Sequence, residues 1–205
     1  MKKNIIENKS HIERLAFFCD AVMAIAITLL ALDLKLVKSD INGLLTLTDL
    51  SSLIPRLVAF FLSFVVIAVV WTTHYQFFRY IIKIDNVVIL ANLVLLVFVV
   101  LLPVSASLIS EYFDQRISTL IYSVNFLLLT LCINYIWNYL QKRPDYLDQG
   151  ADNGVFSSIT ISCNVGVING VLAVIAACFF PLLAFFMLLL RPLTTYFVKL
   201  YRFKR

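Results

Sequence analysis

Runs of uncharged residues longer than a bilayer is thick constrain this chain more than any other feature. Leu57 to Phe78, Asn86 to Ser110 and Ile117 to Gln141 carry no Asp, Glu, Lys or Arg. Each exceeds the roughly 20 residues that take a helix across hydrocarbon. A first run, 14 to 34 (RLAFFCDAVMAIAITLLALDL), is as long but holds a carboxylate, Asp20, near its start. A charge at that depth is costly and demands a partner or a role. The last run, Asn153 to Leu190, is too long for one straight crossing at about 1.5 Å per residue, and Pro181 sits where a turn is needed. A hairpin there gives spans from about Val155 to Phe180 and Leu182 to Tyr201, with Arg191 obliged to snorkel or to face protein. The predicted fold is an all-α integral membrane protein of six transmembrane helices, one domain over residues 1–205.

With 61% hydrophobic and 14% charged residues, the chain has no loop that could hold a soluble domain. A net charge of +5 would suit nucleic acid, but the basic residues collect at span ends instead. Of the seventeen, all but Lys35, Lys38, Arg56 and Arg116 fall on one side if spans alternate. The positive-inside rule then puts both termini in the cytoplasm, with the lipid bilayer as partner and no nucleic acid. The first run begins after a mostly polar stretch and continues past Ala24 and Ala26, which predicts a retained span rather than a cleaved signal. Cys19, Cys132, Cys163 and Cys178 are scattered, with no C-x-x-C pair, and are expected as small buried apolar residues. Thr48 or Asp49 is expected to cap the second helix and Asp85 the third, Pro55 to fit an early turn, and Pro103 to bend or end its helix.

At about 100° per residue, with Ile25 as origin, Leu29, Thr28 and Leu32 all fall within about 60° of it on the first helix. Asp20 lands on the other side, so it is expected to lock packing rather than to join that face. His74, on a span that returns to the same membrane side, is the expected partner, sharing a helix face with Trp71 and Phe78. Apolar residues at this spacing are also what any buried membrane helix shows, so periodicity leaves a pore-lining face and a packing face both open. His74 likewise stands open between an interfacial hydrogen-bonded histidine and a proton relay. Two histidines, no clustered carboxylates within the spans, no nucleophile beside a base and no set of metal ligands argue against an enzyme.

Arg14, Phe18, Cys19 and Asp20 have the spacing of the R-x-x-x-F-S-D signature, and AVMAIAITLLALDL and the W-T-T-H at 71 to 74 extend the match. In these residues the chain resembles the transmembrane protein 175 family, the lysosomal potassium channels and their bacterial homologues. One departure is Cys19, where that family usually has Ser, and a thiol donates a weaker hydrogen bond than a hydroxyl. The structural motif would then comprise Arg14, Phe18, Cys19, Asp20, Trp71 and His74.

The resemblance implies a potassium-permeable cation channel whose pore is lined by the first helix of each subunit, without a carbonyl selectivity filter; no TVGYG-like loop occurs in this chain. By position, Ile25 matches the narrow hydrophobic constriction, Leu29 and Leu32 apolar layers beyond it, and Thr28 a hydroxyl implicated in ion selectivity. These are the residues the helical wheel groups on one face. No second R-x-x-x-F-S/C-D occurs, so the resemblance implies a homotetramer of single-repeat subunits in a bacterial plasma membrane, conducting monovalent cations with a modest preference for K+ over Na+ and needing no cofactor. Ala21 and Ala24, and the G-x-x-x-G of Gly166 and Gly170, are small enough for close helix contact. The rival is a proton-coupled secondary transporter with Asp20 and His74 as its relay.

Overall fold

The computed structural model describes residues 2–34, 50–51, 53–112, 115–148, 150 and 152–203. Among them the chain is helical almost throughout: α1 (Lys2–Leu32), α2 (Ile54–Phe78), α3 (Asn86–Glu111), α4 (Arg116–Gln141), a 3-10 turn (Pro144–Tyr146), α5 (Asn153–Phe179), α6 (Pro181–Leu189) and α7 (Arg191–Phe203). The uncharged runs become helices because in hydrocarbon only internal hydrogen bonds satisfy the backbone. Five helices are long and apolar enough to cross a membrane, and α6 with α7 makes a sixth candidate.

That sixth candidate is not the continuous helix expected from Leu182 to Tyr201. It breaks at Leu190 and bends by 55°. Pro192 lies in the first turn of α7, where its missing N–H cannot bond back into α6. Pro103, by contrast, does not end α3, which runs on to Glu111. The proline's missing N–H leaves Val99 O without its helical donor, and close by the Asn125 amide of α4 donates to Phe98 O at 3.3 Å, tying the two helices together there. Pro55 sits in the first turn of α2, and Asp85 caps α3, its side chain accepting from the Val88 N–H at 3.0 Å. The capping expected of Thr48 or Asp49 lies outside the described residues.

In the core, α4 packs between α3 and α5, α6 folds back on α5, and α1 rests on α2 and α3. Apolar burial is supplemented by polar pairs that tie helix to helix. Ser63 and Tyr122 hydroxyls join α2 to α4 at 3.0 Å, and Trp137 Nε1 donates to Thr160 Oγ1 at 2.9 Å between α4 and α5. Gly166 and Gly170 face other helices of the same chain. A Cβ on Gly170 would lie 3.1 Å from the Leu127 Cα, so its absence is what lets α4 and α5 approach so closely. Cys19 and Cys163 are buried as expected, but Cys132 is only half-buried and Cys178 is exposed, because Cys178 falls on the outward stripe of α5.

At the end of the bundle that carries the N-terminal start of α3, two connections clasp each other. Ile82 N–H donates to Tyr146 O at 2.9 Å and Asp148 N–H to Tyr80 O at 2.8 Å, around an antiparallel bridge of Ile81 with Leu147. Asp85 completes the clasp by accepting from the hydroxyls of Tyr139 at 2.5 Å and Tyr146 at 3.1 Å. Arg143 lies over the Tyr139 ring at 3.8 Å, and Lys83 pairs with Asp145 at 3.4 Å. Basic residues of the two connections are thus held together at one face of the bundle.

Candidate functional site

The first helix has two sides of opposite character. Ile12, Leu15, Cys19, Met23, Ala26 and Leu30 recur every three or four residues and are buried against α2 and α3. On the reverse, Ile25 is 58% exposed, Leu29 41% and Leu32 65%, with Thr28 exposed between them. Apolar residues so placed would ordinarily be covered by a partner or by lipid. The Thr28 hydroxyl donates to Ile25 O at 2.8 Å. Its hydrogen is therefore engaged with its own helix, and its oxygen lone pairs face outward.

The motif residues divide between these sides. Arg14 and Phe18 are exposed in line with Ile25, whereas Cys19 and Asp20 point to neighbouring helices. Asp20 Oδ1 accepts from Trp71 Nε1 of α2 at 2.9 Å. This replaces the expected Asp20–His74 bond: His74 Nε2 pairs instead with Asn92 Oδ1 of α3 at 2.9 Å. Trp71 also leaves the face it was expected to share. It is 40% exposed and stacks on Tyr75, while His74 is buried and stacks on Phe78 with ring centroids 4.1 Å apart. The side chains at i and i+3 splay because one reaches sideways to α1 and the other inward to α3.

Asn92 is the residue that sequence reasoning missed. It is fully buried, and its Nδ2 donates to Val88 O at 2.7 Å, which turns Oδ1 toward both His74 and Cys19. With Oδ1 as acceptor, His74 carries its proton on Nε2. The Cys19 thiol also donates to Oδ1, at 3.9 Å, a long contact in keeping with a weak donor. The available signal was an amide about two turns into the apolar run of α3, where an unpartnered polar side chain would be costly. Three helices thus meet at one carbonyl oxygen, and a fourth contact, Trp71 with Asp20, fixes α1 a short way along. Asp20 and His74 each have another partner and are not bonded to one another, which gives no support to the relay expected of a proton-coupled transporter.

Outside the spans, the Asp85 carboxyl is pushed up by burial. Hydrogen bonds from Tyr139, the Val88 amide and Tyr146, with the Arg143 charge, outweigh that and hold it below its ordinary value.

Comparison with known proteins places these residues in context. The family described as Endosomal/lysosomal potassium channel TMEM175 matches residues 14–103, a stretch that takes in Cys19, Asp20, Trp71, His74 and Asn92. A potassium channel of Streptomyces collinus is 32% identical over 143 residues, 68% of this chain and 69% of its own. A potassium channel of Chamaesiphon minutus is 32% identical over 156 residues, 74% of this chain and 77% of its own. Among solved structures, the crystal structure of a lysosomal potassium-selective channel TMEM175 homolog from Chamaesiphon minutus superposes with a TM-score of 0.78 at 26% identity, covering 93% of this chain and 98% of that one.

Proposed function

The chain belongs to the TMEM175 family, and from that premise we propose that it is a potassium-permeable channel whose pore is lined by α1. The observation that carries the proposal is the division of α1 into a buried side anchored through Cys19 and Asp20 and an outward side bearing Ile25, Thr28, Leu29 and Leu32. A closed ring of identical subunits would cover that outward side with copies of itself. Four copies form the ring, by likeness to the family. Ala21 and Ala24, exposed beside Ile25, would let neighbouring first helices come close.

In this ring Ile25 forms the narrowest layer and restricts flow by excluding water, with Leu29 and Leu32 as further apolar layers. Thr28 contributes selectivity. Its hydrogen is held by Ile25 O, so the hydroxyl oxygen meets a passing cation as an acceptor. No carbonyl filter is involved, and few fixed ligands replace the hydration shell, so the preference for K+ over Na+ is modest. The bent pair α6 and α7 acts as the sixth span, both termini are cytoplasmic, and the protein resides in the plasma membrane.

Flux from potassium-loaded liposomes tests this. Wild-type protein is expected to pass K+ without a second solute gradient, and Ile25→Ala to pass it faster. Equal single-channel current in the two proteins would remove Ile25 from the constriction, and flux that requires a proton gradient would replace the channel with a carrier.

A further inference from the structure

A cavity of about 310 Å³ lies between α2, α5 and α7, away from the outward side of α1. Its chemistry is unusual for a membrane bundle. Arg191 opens α7 and is only 3% exposed, yet its Nε and Nη1 have no hydrogen-bond partner among the described residues. The guanidinium lies 5.3 Å over the Phe126 ring, and Gly166 makes room for it: a Cβ there would stand 2.7 Å from Nη2. Lys199, further along α7, lines the same cavity. Among the described residues, no Asp or Glu lines it. The titratable neighbour shared by both cations is the Cys163 thiol, which is a weak acceptor and no counter-ion.

The other polar groups around the cavity are already committed as donors. Thr72 and Thr73 donate to the Ala68 and Val69 carbonyls, Ser162 to Ser158 O and Thr195 to Arg191 O. Free donor capacity therefore comes from the two cations and from Gln76. Two positive charges with no acidic counter-charge among the described residues, in a low-dielectric setting, favour an anionic occupant. A planar guanidinium fork matches a tetrahedral oxyanion in particular. Phe64, Val65, Ala68 and Val69 form an apolar wall beside that charged end, so the cavity suits a group with acyl chain attached.

We propose that this cavity binds a phosphate oxyanion, supplied by the headgroup of an anionic phospholipid, with Arg191 and Lys199 as its cationic contacts and the α2 wall against the acyl chain. The site does not depend on which helix lines the pore, and its test does not use ion flux. Delipidated protein in detergent would be titrated with phosphatidylglycerol, with diacylglycerol and with inorganic phosphate, reading the melting temperature. Phosphatidylglycerol is expected to raise it saturably and diacylglycerol to leave it unchanged. Arg191→Gln should weaken the apparent affinity roughly tenfold or more, as loss of a charge-assisted bidentate contact implies. Lys199→Gln, on a half-buried position of α7, should weaken it severalfold and keeps the test open if the first variant fails to fold. A saturable shift with inorganic phosphate alone, also lost in the variants, would support the same site with a soluble source. Equal shifts for diacylglycerol and phosphatidylglycerol, or a phosphatidylglycerol shift untouched by Lys199→Gln and Arg191→Gln, would overturn the proposal. So would an assembled structure in which a neighbouring subunit's carboxylate fills the cavity.

Discussion

Replacing Asn92 by Leu should show whether one buried amide holds the first three helices in register. Asn92 Oδ1 accepts from His74 Nε2 at 2.9 Å, and His74 is as deeply buried as Asn92 itself. In Asn92→Leu the imidazole N–H is left inside the bundle without an acceptor, which costs about 1–3 kcal/mol. His74→Phe removes the donor instead and leaves Oδ1 with only the long Cys19 contact, a loss of about 1 kcal/mol. The double variant presents apolar groups on both sides and has no stranded polar atom, so its destabilisation should be well below the sum. Cycles in membrane proteins average about 0.6 kcal/mol and reach about 1.7. Given the full burial of this pair, a coupling in the upper half of that range is expected, near 1–1.5 kcal/mol. Equilibrium unfolding of the four proteins in mixed detergent micelles measures it. Single-variant effects that add within about 0.5 kcal/mol would mean the two side chains do not interact, and would refute Asn92 as the junction.

Trp71→Phe keeps the ring stack on Tyr75 but removes the donor to Asp20; it should lower stability by about 1 kcal/mol and raise protease sensitivity in α1, and an unchanged digestion pattern would show that Asp20 does not hold the helix. Cys19→Ser introduces a stronger donor facing Asn92, so α1 should become harder to strip from α3, seen as slower amide exchange over residues 19–26; faster exchange would count against a limiting thiol contact. Asp85 has a depressed carboxyl pKa in the folded protein, so its contribution is present above the ordinary carboxylate value of about 3.9 and disappears as pH falls through the lower folded value. Asp85→Asn retains the cap and should flatten the acid side of the melting-temperature profile, whereas Asp85→Ala should cost about 1 kcal/mol near neutral pH as well. A profile of identical shape in wild type and Asp85→Asn would remove this group from the acid response.

The long helices were legible because hydrocarbon admits little else: an uncharged run of sufficient length must close its own hydrogen bonds, and α2 to α5 follow the runs closely. The two-sided character of α1 was legible for the same geometric reason, since the 3.6 period fixes which residues share a side. What stayed hidden was partner choice. Asp20 could reach any polar group on an adjacent helix, and whether Trp71 or His74 lies within reach depends on the rotation of α2 about its axis, which periodicity does not set. Asn92 was overlooked because an amide in an apolar run acquires meaning only when two other helices deliver a donor to it. The break at Leu190 had a visible cause in Pro192, but Pro181 already supplied a turn where one was needed.

The clasp between the two connections at the α3 start has a mechanical corollary. Residues 80–82 and 146–148 are stitched by backbone bonds, and Asp85 is gripped by tyrosines from α4 and the 3-10 turn. The ends of α2, α3 and α4 at that face are therefore braced together as one plate. α1 enters the same face without a strand-like stitch to the plate among the described residues, held by side chains at Cys19 and Asp20. Tilting α1 on those two points disturbs fewer hydrogen bonds than deforming the plate, so the helix that bears Ile25 is seated on its frame chiefly by apolar packing against α2 and α3.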